Sequence, residues 1–206
     1  YGQLPLAEGD PTRPIEAYFE HVDWVVELCN RLGMYMALLP TWGDKWHAKW
    51  GSGPEVFTPE NARTYGRWIG ERYRDRDVIW VLGGDRSLET EAHRAINRAM
   101  AEGIRGAVGT RHLMTLHPPG GSSSSQFVHD EAWLDFNMMQ SGHGAMFIPN
   151  WRMIRQDRAL TPTKPTLDGE PCYENHPVAF TNGNRPHLVF RDYHVRLAAY
   201  WAVFAG

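Results

Sequence analysis

The chain has 206 residues, 42% hydrophobic and 22% charged, with a formal net charge of -3. That is enough for one sizeable core, and the charge balance supplies no basic field for nucleic acid. No apolar run approaches the ~20 residues of a membrane span, and the first residues lack the pattern of a signal peptide.

The segment Tyr1 to Asp10 reads as a loop. Glu16 to Leu32 reads as a helix, with Phe19, Val22, Val25, Val26, Cys29 and Leu32 at three- and four-residue spacing. Gly33 ends it. Met34 to Leu39 is a short strand closed by Pro40, and a Trp-rich loop follows from Thr41 to Val56. Thr58-Pro59-Glu60 opens a second helix, with a capping hydroxyl, a proline in the first turn and an acid behind it. That helix runs to about Tyr73.

Val78 to Leu82 is a continuous apolar run, the form of a strand buried on both faces. It ends in Gly83-Gly84-Asp85-Arg86. Thr90 to about Ala101 is helical, with Gly103 just past it. Leu113 to Leu116 is a strand ending at His117. Gly120 to Ser125 is a loop, and Gln126 to Leu134 a short helix. Phe136 to Met139 is a strand ending at Gln140 and His143. Asn150 to Leu160 is a helix, Thr166 to Glu170 a strand, and Tyr193 to Ala205 the final helix.

Strands and helices alternate with no hairpin signal, so the fold class is α/β with parallel strands and helical crossovers. Trp42, Asp85, His117, His143 and Glu170 each follow the C-terminal end of a different strand. A doubly wound sheet gathers its site at one switch point. A ring of functional groups at successive strand ends is the habit of a (β/α)8 TIM barrel. Such a barrel typically needs ~250 residues. The expectation is one domain over residues 1–206, an incomplete barrel holding about strands 3–7 with their helices, without the first two strands and the last.

Asp85 and Glu170 are the candidate catalytic pair. Glycoside hydrolysis needs one carboxylic acid to protonate the leaving oxygen and a second carboxylate as nucleophile or base. Burial near Trp80 and the other carboxylate are expected to keep Asp85 protonated, leaving Glu170 ionised. The competing reading pairs Asp85 with Arg86 and leaves Glu170 as a loop charge. The nine Trp, eight Tyr and eight Phe supply core area, yet several fall in polar loops. Trp42, Trp46 and Trp50 are candidates for stacking on sugar faces, or for a self-packed lid. His47 shares their loop. His117, His143 and Gln140 are candidate hydroxyl binders, and Arg86 holds Asp85 or binds an acidic sugar. The two cysteines, Cys29 and Cys172, define no disulfide framework.

Four stretches carry a resemblance. Pro40-Thr-Trp-Gly-Asp-Lys-Trp46, Trp80-Val-Leu-Gly-Gly-Asp85-Arg86, Thr115-Leu-His-Pro118 and Leu167-Asp-Gly-Glu-Pro171, with Tyr173 and Glu174, resemble the apiosidase-like glycoside hydrolases. The resemblance covers nearly the whole chain. It implies a (β/α)8 catalytic domain that cleaves plant cell-wall polysaccharide, with apiosyl linkages in pectic side chains as one target. It also implies a retaining acid pair matching Asp85 and Glu170, with Glu174 as the alternative nucleophile. It calls for no cofactor or metal, and it suggests a secreted or periplasmic bacterial enzyme. Two other readings stay open. One is a non-catalytic carbohydrate-binding barrel fragment; the other is a metal-dependent barrel hydrolase using His117, His143, His176 and Asp85.

Overall fold

The structure is a computed structural model that describes residues 2–180 and 188–206. The chain divides into two compact units, Tyr1–Met114 and Thr115–Gly206. Tyr1, the first residue of the predicted opening loop, lies outside the described residues.

The first unit runs α1 (Glu16–Arg31), β1 (Met36–Leu38), α2 (Pro59–Arg72), β2 (Val78–Gly83) and α3 (Glu91–Val108). β1 and β2 pair in parallel, with Leu38 opposite Trp80. Trp80 N–H donates to Leu113 O at 2.9 Å. Its indole donates to His112 Nδ1 at 3.1 Å, so its one polar group is satisfied in full burial. α2 opens with the predicted cap: Thr58 and Asn61 exchange side chain-to-backbone hydrogen bonds of 2.8 and 3.3 Å. Such caps are worth about 1 kcal/mol.

α3 runs past the predicted end near Ala101 to Val108. Gly103 is not a helix stop. It lies inside α3, where a Cβ would sit 2.2 Å from Arg63 O on α2. Here the glycine allows two helices to approach closely, which outweighs its low helix propensity.

β3 (Met114–His117) leads into the second unit, which continues β4 (Ser122–Ser123), α4 (Ser125–Val128), β5 (Asn137–Gln140), α5 (Asn150–Arg158), β6 (Thr166–Asp168) and α6 (Asp192–Ala205). β5 and β6 are parallel, with Met139 opposite Asp168. The predicted α/β alternation and parallel pairing are both observed. Two details differ. The serine run is not a plain loop, because β4 pairs antiparallel with β5. Ser122, Ser123 and Ser124 are buried, and Ser123 and Ser125 donate to the carboxylate of Asp157 at 2.5 and 2.6 Å. α4 is also shorter than the predicted Gln126 to Leu134. Cys172, Val178 and Phe190, which lie between β6 and α6 in the chain, form a core cluster.

Candidate active site

In the first unit the site face is built by the end of β2 and the Trp-rich loop. Gly83, Gly84 and Asp85 have φ of 87°, 103° and 59°. Three consecutive left-handed residues turn the chain sharply out of the strand. Gly84 has no room for a side chain, since a Cβ would lie 2.6 Å from Gly43 N. Gly43 N–H donates to Gly84 O at 3.2 Å, docking the loop on the strand end.

The expected burial of Asp85 beside Trp80 is not found. The turn swings Asp85 off the strand, its side chain is 37% exposed, and Arg86 Nη1 lies 3.8 Å from its Oδ2. Arg86, expected either to hold Asp85 or to bind an acidic sugar, is itself buried. It donates from Nε to His47 O at 3.1 Å and from Nη1 to Asp85 O at 2.8 Å. Its guanidinium is therefore spent on fixing two backbone segments, and it positions Asp85 rather than meeting a sugar.

The aromatic residues of the loop separate by exposure. Trp46 is 2% exposed, donates to Gly83 O at 3.4 Å and packs on His93, so it is a core residue and not a sugar platform. His47 is also buried, its ring stacked on His93 with centroids 4.3 Å apart. Both belong in the core because the loop folds back over α3. Trp42 and Trp50 are 46% and 72% exposed. Trp50 holds a left-handed φ of 61°, rare for a bulky side chain.

In the second unit the ends of β3, β5 and β6 converge on Glu170. Asp168 fastens the end of β6. Its carboxylate accepts from Ser141 N–H at 3.2 Å, Ser141 Oγ at 2.7 Å and Asn150 Nδ2 at 2.9 Å. Gly142 N–H donates to Glu170 O at 2.9 Å. The Glu170 carboxylate is then gripped from three sides. His117 Nε2 lies 2.8 Å from Oε2, His143 Nε2 lies 3.7 Å from Oε1, and Tyr173 donates its O–H to Oε1. The His117 hydrogen bond is the strongest influence on the Glu170 carboxyl, with burial opposing it. The Tyr173 hydrogen bond and the neighbouring imidazoles add to His117, and the result lies below the usual 4.5.

Glu174 is exposed and takes no part in this grip. Gln140 is buried at the end of β5, and its Oε1 has no hydrogen-bond partner among the described residues. An acceptor left in this way is ready for an incoming hydroxyl. His176 was considered above only as a metal ligand, yet it packs on His143 at 4.5 Å and on Tyr173 at 5.9 Å. The spacing Glu170-x-x-Tyr173-x-x-His176 is the signal that could have found it. Among the described residues, no group of three or more His, Cys, Asp or Glu side chains is placed to hold a metal ion.

The α/β scaffold carries carboxylates at strand ends, the kind of group that glycoside hydrolysis uses. Comparison with known proteins gives the family. The family model of the apiosidase-like catalytic domain matches residues 1–206. A solved glycoside hydrolase family 5 protein from Bacteroides vulgatus is 33% identical, with a TM-score of 0.82 over 92% of this chain and 41% of its own. A second structure, described as a glycoside hydrolase, is 34% identical, with a TM-score of 0.80 over 92% of this chain and 44% of its own. A putative glycoside hydrolase from Bacteroides vulgatus, 15% identical with a TM-score of 0.51, shares the fold alone; it aligns over 94% of this chain and 43% of its own. No curated protein matches the chain. The chain belongs to the apiosidase-like catalytic domain family. It spans about two fifths of the length of these solved structures.

Proposed function

We propose that the protein is a retaining glycosidase acting on plant cell-wall polysaccharide, with pectic, apiose-containing side chains as the target. Glu170 is the nucleophile and Asp85 the acid/base. The observation that carries this reading is the grip on Glu170. Hydrogen bonds from His117 and Tyr173 favour its ionised form, as attack on an anomeric carbon requires. Glu174 is exposed and takes no part in that grip, which favours Glu170 over it. Asp85 protonates the leaving oxygen and then deprotonates the incoming water. Gln140, His117, His143 and Tyr173 contact sugar hydroxyls, and Trp42 and Trp50 offer ring faces for stacking. In this reading the strands take the places of strands 3–7 of a (β/α)8 barrel, supported by the two parallel pairs. The protein works outside the bacterial cell or in its periplasm.

Proton NMR of the first-formed sugar tests the mechanism. Retention of anomeric configuration is expected on a pectic oligosaccharide substrate. Inversion would overturn the covalent role of Glu170, and absence of cleavage with an intact fold would favour a carbohydrate-binding role.

A further inference from the structure

The stacked histidines of the first unit lie outside the chemistry above. His93 is the third residue of α3, where its backbone N–H donates to the capping Thr90 hydroxyl at 3.2 Å. Its ring meets the Trp-rich loop on two sides. His47 stacks on it at 4.3 Å with the planes 32° apart, and Trp46 packs edge-on at 5.5 Å. Nδ1 of both histidines is buried without a hydrogen-bond partner. The loop is thus joined to α3 through two aromatic rings whose buried Nδ1 atoms have no hydrogen-bond partner among the described residues.

We propose that His93 is a positioning residue for the Trp-rich loop, and that its stack with His47 is an acid-sensitive latch holding the loop docked at neutral pH.

The charges around the stack set the direction of the effect. Burial, and next the adjacent His47, push the His93 imidazole below its ordinary 6.5, while Glu55 and Glu89 pull the other way. The positive end of α3 also disfavours a cation in its first turn. Glu89 Oε2 is 3.8 Å from His47 Nε2, while Lys49 and Ser87 Oγ, the latter at 2.9 Å, hold its other oxygen, Oε1. Glu55 accepts from Ala48 N–H at 2.8 Å, and Arg86 holds His47 O. Glu89 Oε2 thus attends His47, and among the described residues His93 has no carboxylate in hydrogen-bond or ion-pair contact. A histidine with a depressed folded pKa binds fewer protons docked than released, so docking is fully stable above 6.5 and weakens as pH falls below it. Release would move the exposed Trp42 and Trp50. The latch needs no catalytic claim; only its effect on substrate affinity rests on the glycosidase reading.

Hydrogen exchange by mass spectrometry tests it without a substrate. Peptides covering residues 43–57 are compared between about pH 7.5 and about pH 5.5, corrected for intrinsic exchange, on either side of the ordinary histidine pKa. The parent should lose protection at the lower pH, because docked His93 binds fewer protons than released His93. His93→Phe keeps an aromatic ring without a titrating nitrogen and should keep its protection at the lower pH. His93→Gln removes the stack and should be poorly protected at both. Protection of α3 peptides reports that each variant is folded. A parent with no loss, a His93→Phe variant that loses as much as the parent, or a His93→Gln variant as protected as the parent would each overturn the latch. If His93→Phe fails to fold, the His93→Gln comparison decides.

Discussion

His117 Nε2 stands 2.8 Å from Glu170 Oε2, joining the end of β3 to the end of β6 by one charge-assisted hydrogen bond. That bond leads the interactions lowering the Glu170 carboxyl below 4.5. The acid limb of kcat/KM should therefore lie below 4.5 in the parent. In His117→Ala it should move upward, because the largest influence lowering the Glu170 carboxyl is gone. The same linkage bears on stability. Ionised Glu170 stabilises the fold above its unfolded pKa, and the contribution disappears as pH falls through the lower folded value. Equal acid limbs in parent and variant would show that His117 does not tune Glu170.

Asp85→Asn should keep the thermal transition and lose most activity on substrates with a poor leaving group. A loss of about 10²–10⁴-fold is the usual worth of a general acid. Substrates with a good leaving group should suffer much less in the glycosylation step. Equal losses for both substrate types would deny Asp85 the proton-donor role.

Arg86 holds His47 O and Asp85 O from a buried position. Arg86→Met should cost about 3 kcal/mol in urea unfolding, given ~1.5–3 kcal/mol for each hydrogen bond to a charged group. It should also raise KM, because the loop carrying Trp42 and Trp50 loses its anchor. A change below about 0.5 kcal/mol, the range of ordinary surface substitutions, would place Arg86 outside the framework.

Trp50 and Trp46 should behave as opposites. Trp46→Ala empties a core site and should cost about 3–5 kcal/mol. Trp50→Ala removes an exposed ring on a left-handed backbone, so it should leave stability within about 1 kcal/mol. Its effect should be a raised KM with kcat retained. Chemical denaturation and steady-state kinetics separate the two.

Gly103→Ala tests the helix contact. The added Cβ would meet Arg63 O on α2 at 2.2 Å, so propensity alone predicts stabilisation and packing predicts the reverse. Denaturation should show a loss of about 1–3 kcal/mol.

The sequence was most legible where the physics is local. Val78 to Leu82 could only be a buried strand, and Thr58-Pro59 announced its helix. The order of strands and helices followed from these periodicities. Gly103 misled because a glycine that ends a helix and one that lets a neighbouring helix approach look alike without the partner. The serines at 122–125 read as a plain loop, since only the fold brings Asp157 to them. Among the site residues, Asp85, Glu170, His117 and His143 could be placed at strand ends from spacing alone. Spacing could not tell Trp46 from Trp50, because burial depends on which way the loop folds. Nor could it reveal that Arg86 was committed to two carbonyls, or that His176 braces His143 and Tyr173.

The most direct measurement of the central claim is kcat/KM of Glu170→Gln and Glu174→Gln beside the parent on a pectic oligosaccharide. The account predicts that Glu170→Gln loses at least about a thousandfold, as removal of a nucleophile does, while Glu174→Gln stays within about threefold, under 1 kcal/mol of transition-state stabilisation. Near-parental activity in Glu170→Gln, or the larger loss in Glu174→Gln, would contradict it.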